Sequence, residues 1–216
     1  EKFYTAFKKE IDAGNSVVCI TVSSGISGTY QSACVAKDML GSGTQIDVLD
    51  SKACGITLGI AAIKAARLAK QGLSHEVIAA ETKTRLGKMH TLVLLDRLDF
   101  LAMGGRINDI VAKAAGLLNI KPVISFNAKG EIVVVHKAIG FKKGMQWLKD
   151  QAVRYGKDFS NSILGFAYGE NTIKAEELLA AIRGVINVGE VIIARIGCVI
   201  GTYTGVSGVG LFFEEA

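Results

Sequence analysis

The sequence contains a single proline among 216 residues, and half of its residues are hydrophobic. No apolar run approaches the roughly eighteen residues that a membrane-spanning helix needs, so no transmembrane segment is predicted. A chain with so little proline and so much apolar material can bury a substantial core, which argues against long disordered tracts. Its length fits one large domain or two smaller ones.

Concentrated positive charge is also missing. The net charge is +5, and the basic residues are scattered among acidic ones rather than gathered on a face with interleaved aromatics, so nucleic-acid binding is not predicted. The four cysteines lie far apart without a CxxC pair, and they are Cys19, Cys34, Cys54 and Cys198. This usage favours buried, reduced thiols in a cytoplasmic protein over disulfides or metal ligands.

Familiar catalytic signatures are absent as well. There is no GxxxxGK[ST] phosphate loop, and no GxGxxG follows a predicted strand. The three histidines, His75, His90 and His136, fit no metal-binding spacing. The segment GISG resembles a nucleophile elbow, but Thr29 stands where the GxSxG pattern requires its second glycine.

The most informative stretch that is present covers residues 17–33, which read VVCITVSSGISGTYQSA. A β-favouring apolar run leads into a Ser/Gly turn, and a helical pattern starts near Ser27. Free N–H groups and the positive end of the helix dipole make such a turn an anion site. Hydroxyls at Ser23, Ser24, Ser27 and Thr29 would add neutral donors. The residues of this turn alone support simple helix capping as well as they support ligand binding.

Two further clusters combine glycines with polar groups. In LDFLAMGGRI, the pair Gly104 and Gly105 allows a sharp bend just before Arg106, although a helix end followed by a surface arginine explains the same residues. In IGTYTGVSGVG, which includes Tyr203, glycines and hydroxyls interrupt a β pattern. A twisted or bulged strand would account for those glycines without any ligand.

Alternating helical and β patterns predict an α/β fold. Strands are predicted at 17–22, 46–49 and 91–95, with helices at 1–13, from about 27, at 53–70 and from Ser74 to about 88. They indicate a domain with a parallel sheet over residues 1–97. Residues 98–216 are predicted to form a second α/β domain with a mixed or antiparallel sheet.

The second half begins with a helical turn over 97–103 and a helix over 109–117 capped by Asn108. A hairpin joins β patterns at 120–126 and 131–136. The predictions that follow are a helix at 142–155, a strand at 162–167, a helix at 173–183, a strand at 190–196 and a broken β segment at 198–202 and 209–213.

Taken in order, SSGISGTYQSA, LDFLAMGGRI and VIGTYTGVSGVGL resemble the motifs of the DegV family across nearly the whole chain. The resemblance implies the two-domain EDD fold of a bacterial, cytoplasmic protein. Such a protein binds a long-chain fatty acid between its two domains and presents the carboxylate to a separate fatty acid kinase. It implies no catalytic residue and no cofactor, and it allows transient membrane contact.

The resemblance also implies a carboxylate-binding set, namely Ser23, Ser24, Gly25, Ser27, Gly28, Thr29 and Tyr203. Arg106 would lie at the head-group or kinase-facing surface. Part of the family's site belongs to an N-terminal segment that is expected to precede residue 1. Two departures stand out: Tyr203 replaces a family histidine, and Ile139 replaces a frequent arginine, which bears on kinase docking.

Two other functions stay open at this point. An acyl- or phosphoryl-transfer enzyme would use Ser27 or Tyr203, but the residues nominate no base for either one. A regulatory or nucleic-acid-binding module rests only on the mild positive charge.

Overall fold

The computed structural model describes residues 1–107 and 119–216. The strands are β1 (Val17–Thr21), β2 (Ile46–Asp50), β3 (Met89–Leu94), β4 (Ile120–Phe126), β5 (Ile132–Ile139), β6 (Phe159–Tyr168), β7 (Val188–Arg195) and β8 (Val209–Glu214). The helices are α1 (Lys2–Asp12), α2 (Thr29–Leu40), α3 (Ile56–Lys70), α4 (His75–Leu86), α5 (Asp99–Met103), α6 (Phe141–Gln151), α7 (Ile173–Arg183) and α8 (Cys198–Thr204). The predicted helix over 109–117 lies outside the described residues.

Within the described residues, the strands form a two-stranded parallel sheet, β1-β2, and a six-stranded mixed sheet with the order β5-β4-β3-β8-β6-β7. In the described part of the larger sheet, only β6 and β7 run parallel. The predicted hairpin is confirmed, because β4 pairs antiparallel with β5. The predicted mixed α/β class is therefore correct. The division of the chain at residues 97 and 98 stays a prediction.

The third predicted strand does not extend the parallel sheet. Strand β3 pairs antiparallel with β8 over its whole length and with β4 at its end. Alternating β and α patterns predict a strand's existence but not its neighbour. Here the apolar run of β8 at the chain's end supplies a better partner than β2 does.

The β prediction at 198–202 is wrong, because these residues form the short helix α8. Their β-branched side chains favour a strand, but tertiary contacts override that preference. The Thr202 and Thr204 hydroxyls donate to the carbonyls of Val199 and Ile200 one helical turn back. Tyr203 packs into the core beside α5. Cys198 is consequently exposed rather than buried in a strand.

The larger sheet is covered on both faces, and each face has its own core. On one face, Leu148 of α6 and Leu178 of α7 pack against buried residues of β6 and β8. On the other face, Ile60 of α3 and Leu101 of α5 pack with Phe212 and the half-buried Tyr203. A smaller third cluster joins α1 and α2 to the parallel sheet. No helix among the described residues is long and apolar enough to cross a membrane.

One tight contact joins the turn after β1 to the loop between β4 and β5. The Ser23 hydroxyl is fully buried and donates a 2.7 Å hydrogen bond to the carbonyl oxygen of Gly130. It also accepts the N–H of Gly25 at 3.1 Å. Gly130 has a φ of +79°, a conformation that favours glycine, and a Cβ there would collide with the Ser23 hydroxyl. We call this contact the turn–hairpin joint.

The joint makes Gly25 intolerant of any side chain. A Cβ on Gly25 would collide with the backbone carbonyl of Gly130, whereas one on Gly28 would meet nothing within 4 Å. We therefore expect Gly25→Ala to lower the free energy of unfolding by about 2 kcal/mol or more, because backbone must move. Urea denaturation measures this loss. Gly28→Ala is the matched control and should change stability by less than about 0.5 kcal/mol; equal effects at the two positions would contradict the joint.

Candidate functional site

A cavity of about 610 Å³ lies on the α3 side of the larger sheet. Its volume falls in the range of small-molecule sites. The start of α3, the turn after β1 and helix α8 enclose it against the strands. The apolar lining side chains are Val22, Ile26, Ile56, Leu58, Val93, Leu101, Ile124, Phe126, Ile132, Ala167, Ala194, Ile196, Val199, Ile200 and Phe212. An apolar ligand would thus be surrounded by hydrocarbon.

Polar groups enter the cavity wall at the Ser/Gly turn and beside α8. Ser27 and Thr29 both line it, and their hydroxyl oxygens lie 2.8 Å apart. The N–H of Thr29 also donates to the Ser27 hydroxyl at 3.3 Å. Since α2 begins at Thr29, its first amides have no partner within the helix. These hydroxyls and amides can therefore donate hydrogen bonds to an acidic group without carrying a permanent charge.

Arg106 and Tyr203 form the other polar part of the wall. The guanidinium carbon of Arg106 lies 5.2 Å from the centre of the Tyr203 ring, a cation–π arrangement. Its Nη1 donates to the Gly104 carbonyl at 2.7 Å, and its Nε donates to the Ile26 carbonyl at 3.3 Å. A Cβ on Gly104 would collide with the Tyr203 ring, so this glycine lets the tyrosine pack directly on backbone.

The other predicted site residues do not line the cavity. Ser23 is committed to the turn–hairpin joint. Ser24 is exposed, and its hydroxyl accepts a 3.0 Å hydrogen bond from the ammonium group of Lys52. Gly25 and Gly28 are also exposed and shape the turn. The structure thus brings together Ser27, Thr29, Arg106 and Tyr203 from the predicted set, and separates the rest of the turn from the cavity.

Three lining residues with polar side chains were missed in the sequence, and they are Cys54, Arg195 and Thr204. Burial raises the pKa of the Cys54 thiol to about 11, so it stays neutral and unreactive in the wall. Arg195 ends β7 and is exposed at the cavity edge, where its Nε donates to the Gly169 carbonyl at 3.4 Å. The sequence signal for Arg195 was its position at the end of a predicted strand, where ligand sites of α/β proteins commonly lie.

The three histidines contact neighbouring side chains away from the cavity lining. His136 stacks on Trp147 with 4.7 Å between ring centres, and desolvation lowers its pKa. His90 stacks between Tyr155 and Phe213. His75 is nearly buried and bonded to Asp47 at 2.9 Å. In residues 1–107 and 119–216, no group of His, Cys, Asp or Glu is arranged to hold a metal ion.

Asp50, at the end of the neighbouring strand β2, stabilises the Ser/Gly turn through hydrogen bonds. Its Oδ1 accepts the N–H groups of Ser24 and Lys52, each at 3.1 Å, and its Oδ2 lies 2.8 Å from the Lys52 ammonium group. Partial burial acts to raise the pKa of Asp50, but the hydrogen bonds from Lys52 and Ser24 outweigh it and hold the pKa below its usual value. Asp50 is therefore a positioning residue for the turn.

The fold and the cavity define an α/β protein built from a small parallel sheet and a larger mixed sheet, with an apolar cavity on one face of the larger sheet. The chain belongs to the DegV family: the family's model, described as "Uncharacterised protein, DegV family", matches residues 1–216. A DegV domain-containing protein of Caldanaerobacter subterraneus is 33% identical over 99% of this chain and 76% of its own length. Another from Clostridium acetobutylicum is 32% identical over 100% of this chain and 75% of its own.

Solved structures have the same fold. A DegV family protein from Thermus thermophilus, described by its fatty acid binding, superposes with a TM-score of 0.90 at 24% identity, covering 99% of this chain and 76% of that one. The fatty acid kinase B3 protein of Streptococcus pneumoniae, loaded with linoleic acid, gives 0.88 at 25% identity over 99% and 75%. A DegV family protein from Eubacterium eligens, loaded with heptadecanoic acid, gives 0.86 at 23% over 99% and 76%.

The lowered pKa of Asp50 predicts a pH effect. Its stabilising contribution is complete above the unfolded value of about 3.8 and is lost as the pH falls through the lower, folded value. We expect Asp50→Asn to destabilise the protein at neutral pH and to flatten the loss of stability in acid, measured by urea denaturation between about pH 2 and pH 6. Asp150→Asn, at an exposed carboxylate on α6, is the control. An unchanged acid slope in Asp50→Asn would contradict this stabilising role of Asp50.

Proposed function

We propose that this protein is a non-catalytic carrier of a long-chain fatty acid, whose tail fills the cavity and whose carboxylate meets Ser27, Thr29 and Tyr203. The observation that carries the proposal is the cavity itself, with an apolar wall and neutral hydrogen-bond donors gathered at the turn and α8. Fatty-acid-loaded relatives of the same fold support it.

The tail accounts for affinity. Each buried methylene is worth ~0.8 kcal/mol, so roughly fourteen of them supply on the order of 11 kcal/mol before the losses of association. Such a ligand needs only an enclosed hydrocarbon wall, which the apolar side chains of the cavity provide. No specific polar contact along the tail is required for tight binding.

The carboxylate accounts for orientation. An unpaired carboxylate in a dry site would cost several kcal/mol, and hydroxyl and amide donors offset that cost. In this proposal Ser27, Thr29 and Tyr203, which line the cavity, donate to the carboxylate, and Arg106 lies over the Tyr203 ring at the exposed side. Tyrosine supplies a hydrogen bond but no positive charge in place of the family's histidine. In this proposal Ser23, Ser24, Gly25 and Gly28 hold the turn.

A transferase role for Ser27 receives less support. A nucleophilic serine needs a base that takes its proton, but the Ser27 hydroxyl is paired with Thr29. The described lining residues of the cavity include no histidine, aspartate or glutamate. Tyr203 likewise contacts Gly104 and Arg106 rather than a base. Holding the acid is the chemistry that these groups suit.

We further propose that the protein presents the carboxylate to a fatty acid kinase. Arg106 is exposed and borders the polar part of the cavity, so a partner can reach the head group there. The likeness to the S. pneumoniae fatty acid kinase B3 protein supports this role. The four unpaired cysteines suit a reducing, cytoplasmic setting.

The carboxylate assignment can be tested by comparing an acid with its alcohol. Hydrogen bonds to a charged group contribute about 1.5–3 kcal/mol, so Ser27→Ala with Thr29→Val should weaken hexadecanoic acid binding roughly 10- to 100-fold. Hexadecanol binding should change by less than about threefold, because its neutral group depends less on these donors. Competition with a fluorescent fatty acid measures both. Ser32→Ala, whose exposed hydroxyl bonds to the Gly28 carbonyl, is the control; equal losses for acid and alcohol would refute the assignment.

The kinase role predicts a separate effect of Arg106. Arg106→Ala should leave hexadecanoic acid affinity within about threefold but lower acyl phosphate formation by a purified fatty acid kinase at least tenfold, because the exposed cation is lost from the head-group surface. ADP release with the loaded protein measures the rate. The exposed Arg154→Ala is the control. Unchanged kinase turnover in Arg106→Ala would contradict presentation at this surface.

A further inference from the structure

The cavity runs across the whole width of the larger sheet. Every strand of that sheet contributes a lining side chain, and in sheet order these are Ile132, Ile124, Val93, Phe212, Ala167 and Ala194. From β5 to β7 there are five spacings of about 4.8 Å, or roughly 24 Å. One leaflet of a bilayer, which is one acyl chain deep, measures about 15 Å. The floor is therefore longer than one leaflet is deep and can hold a long acyl chain lying across the strands.

The two ends of this floor differ. The Ser/Gly turn contacts Gly130 in the loop between β4 and β5, so the Ser27 end of the cavity lies toward that edge of the sheet. Strand β7 forms the opposite edge. A tail whose carboxylate is at Ser27 and which extends along the floor passes β6 before it reaches β7.

The side chains at that far end are small. Ala194 of β7 lies directly opposite Ala167 of β6, and Ala167 lies opposite Gly210 of β8. Nearer the other edge, the same cross-strand row continues with the larger Val93 and Ile124. The side chains of this row are only alanines over β6 and β7, so the cavity has free space above these two strands. A larger side chain at either position would fill that space.

We propose that Ala167 and Ala194 set the longest acyl chain that this protein accepts, with Ala194 as the terminal limit. The inference rests on the proposed fatty acid binding and adds to it the residues that select among fatty acids. Because Ala167 lies one strand nearer the carboxylate, bulk there shortens the accepted chain more than the same bulk at Ala194.

Two variants test this order. With dodecanoic, tetradecanoic, hexadecanoic and octadecanoic acids, Ala194→Leu should move the tightest-bound ligand one or two members down the series, which is about two to four carbons, since leucine adds three heavy atoms. Affinity for octadecanoic acid should fall at least tenfold, while that for dodecanoic acid changes by less than about threefold. Ala167→Leu should shift the preference further in the same direction. Competition with a fluorescent fatty acid gives all affinities.

The controls separate the possible failures. Ala181→Leu makes the same change at an exposed position on α7, on the other side of the sheet, and should leave the length profile unchanged. Thermal unfolding and far-ultraviolet circular dichroism establish that each variant is folded. Folded Ala194→Leu and Ala167→Leu proteins with the unmodified length profile, or the reverse order of shifts, would overturn the length limit alone. Failure of the unmodified protein to bind any of the four acids would overturn the proposed function and the limit with it.

Discussion

The buried hydrogen bond from Ser23 to the Gly130 carbonyl is the contact on which the site depends. It fixes the turn after β1 against the hairpin of the larger sheet, in a space that admits no side chain on Gly25 or Gly130. The hydroxyls of Ser27 and Thr29 follow directly in the chain, so their distance from the sheet floor is set by this joint. Asp50 adds a brace from the neighbouring strand, where it accepts the Ser24 N–H. The sequence predicts the whole turn as a carboxylate-binding site. In the structure, some of its residues hold the turn in place and others face the cavity.

In the proposed carrier, affinity and orientation have separate sources. A hydrocarbon wall favours any long apolar chain in proportion to its buried length, without regard to direction. Direction comes from a few donors at one end, because a carboxylate left among the apolar side chains would lose its hydration without replacement. If the head group is presented to another protein, as proposed, neutral donors suit it, because no buried cation is left unpaired when the carboxylate is modified. Arg106, which stays exposed over Tyr203, keeps its charge at the surface.

Much of the fold is predictable from the sequence, and the exceptions have identifiable causes. The helix at 173–183, the Ser74 cap and the hairpin at Asn127 depend on local patterns, and all three are found. The pairing of β3 with β8 and the helix at Cys198–Thr204 depend on contacts between distant segments, which local patterns do not contain. At the site, motif matching predicted Ser27, Thr29 and Tyr203 among the carboxylate-binding residues and Arg106 at the head-group surface, and these four line the cavity. It did not distinguish Ser23, whose hydroxyl faces the hairpin, and it missed Arg195, which only the sheet order brings to the cavity.

Mass spectrometry of the organic extract from purified protein tests the central claim most directly. A long-chain fatty acid should be recovered in near one-to-one ratio with protein, and delipidated protein should take it up again to the same ratio. Protein that carries no lipid after purification and takes up none of a fatty acid series would contradict the account.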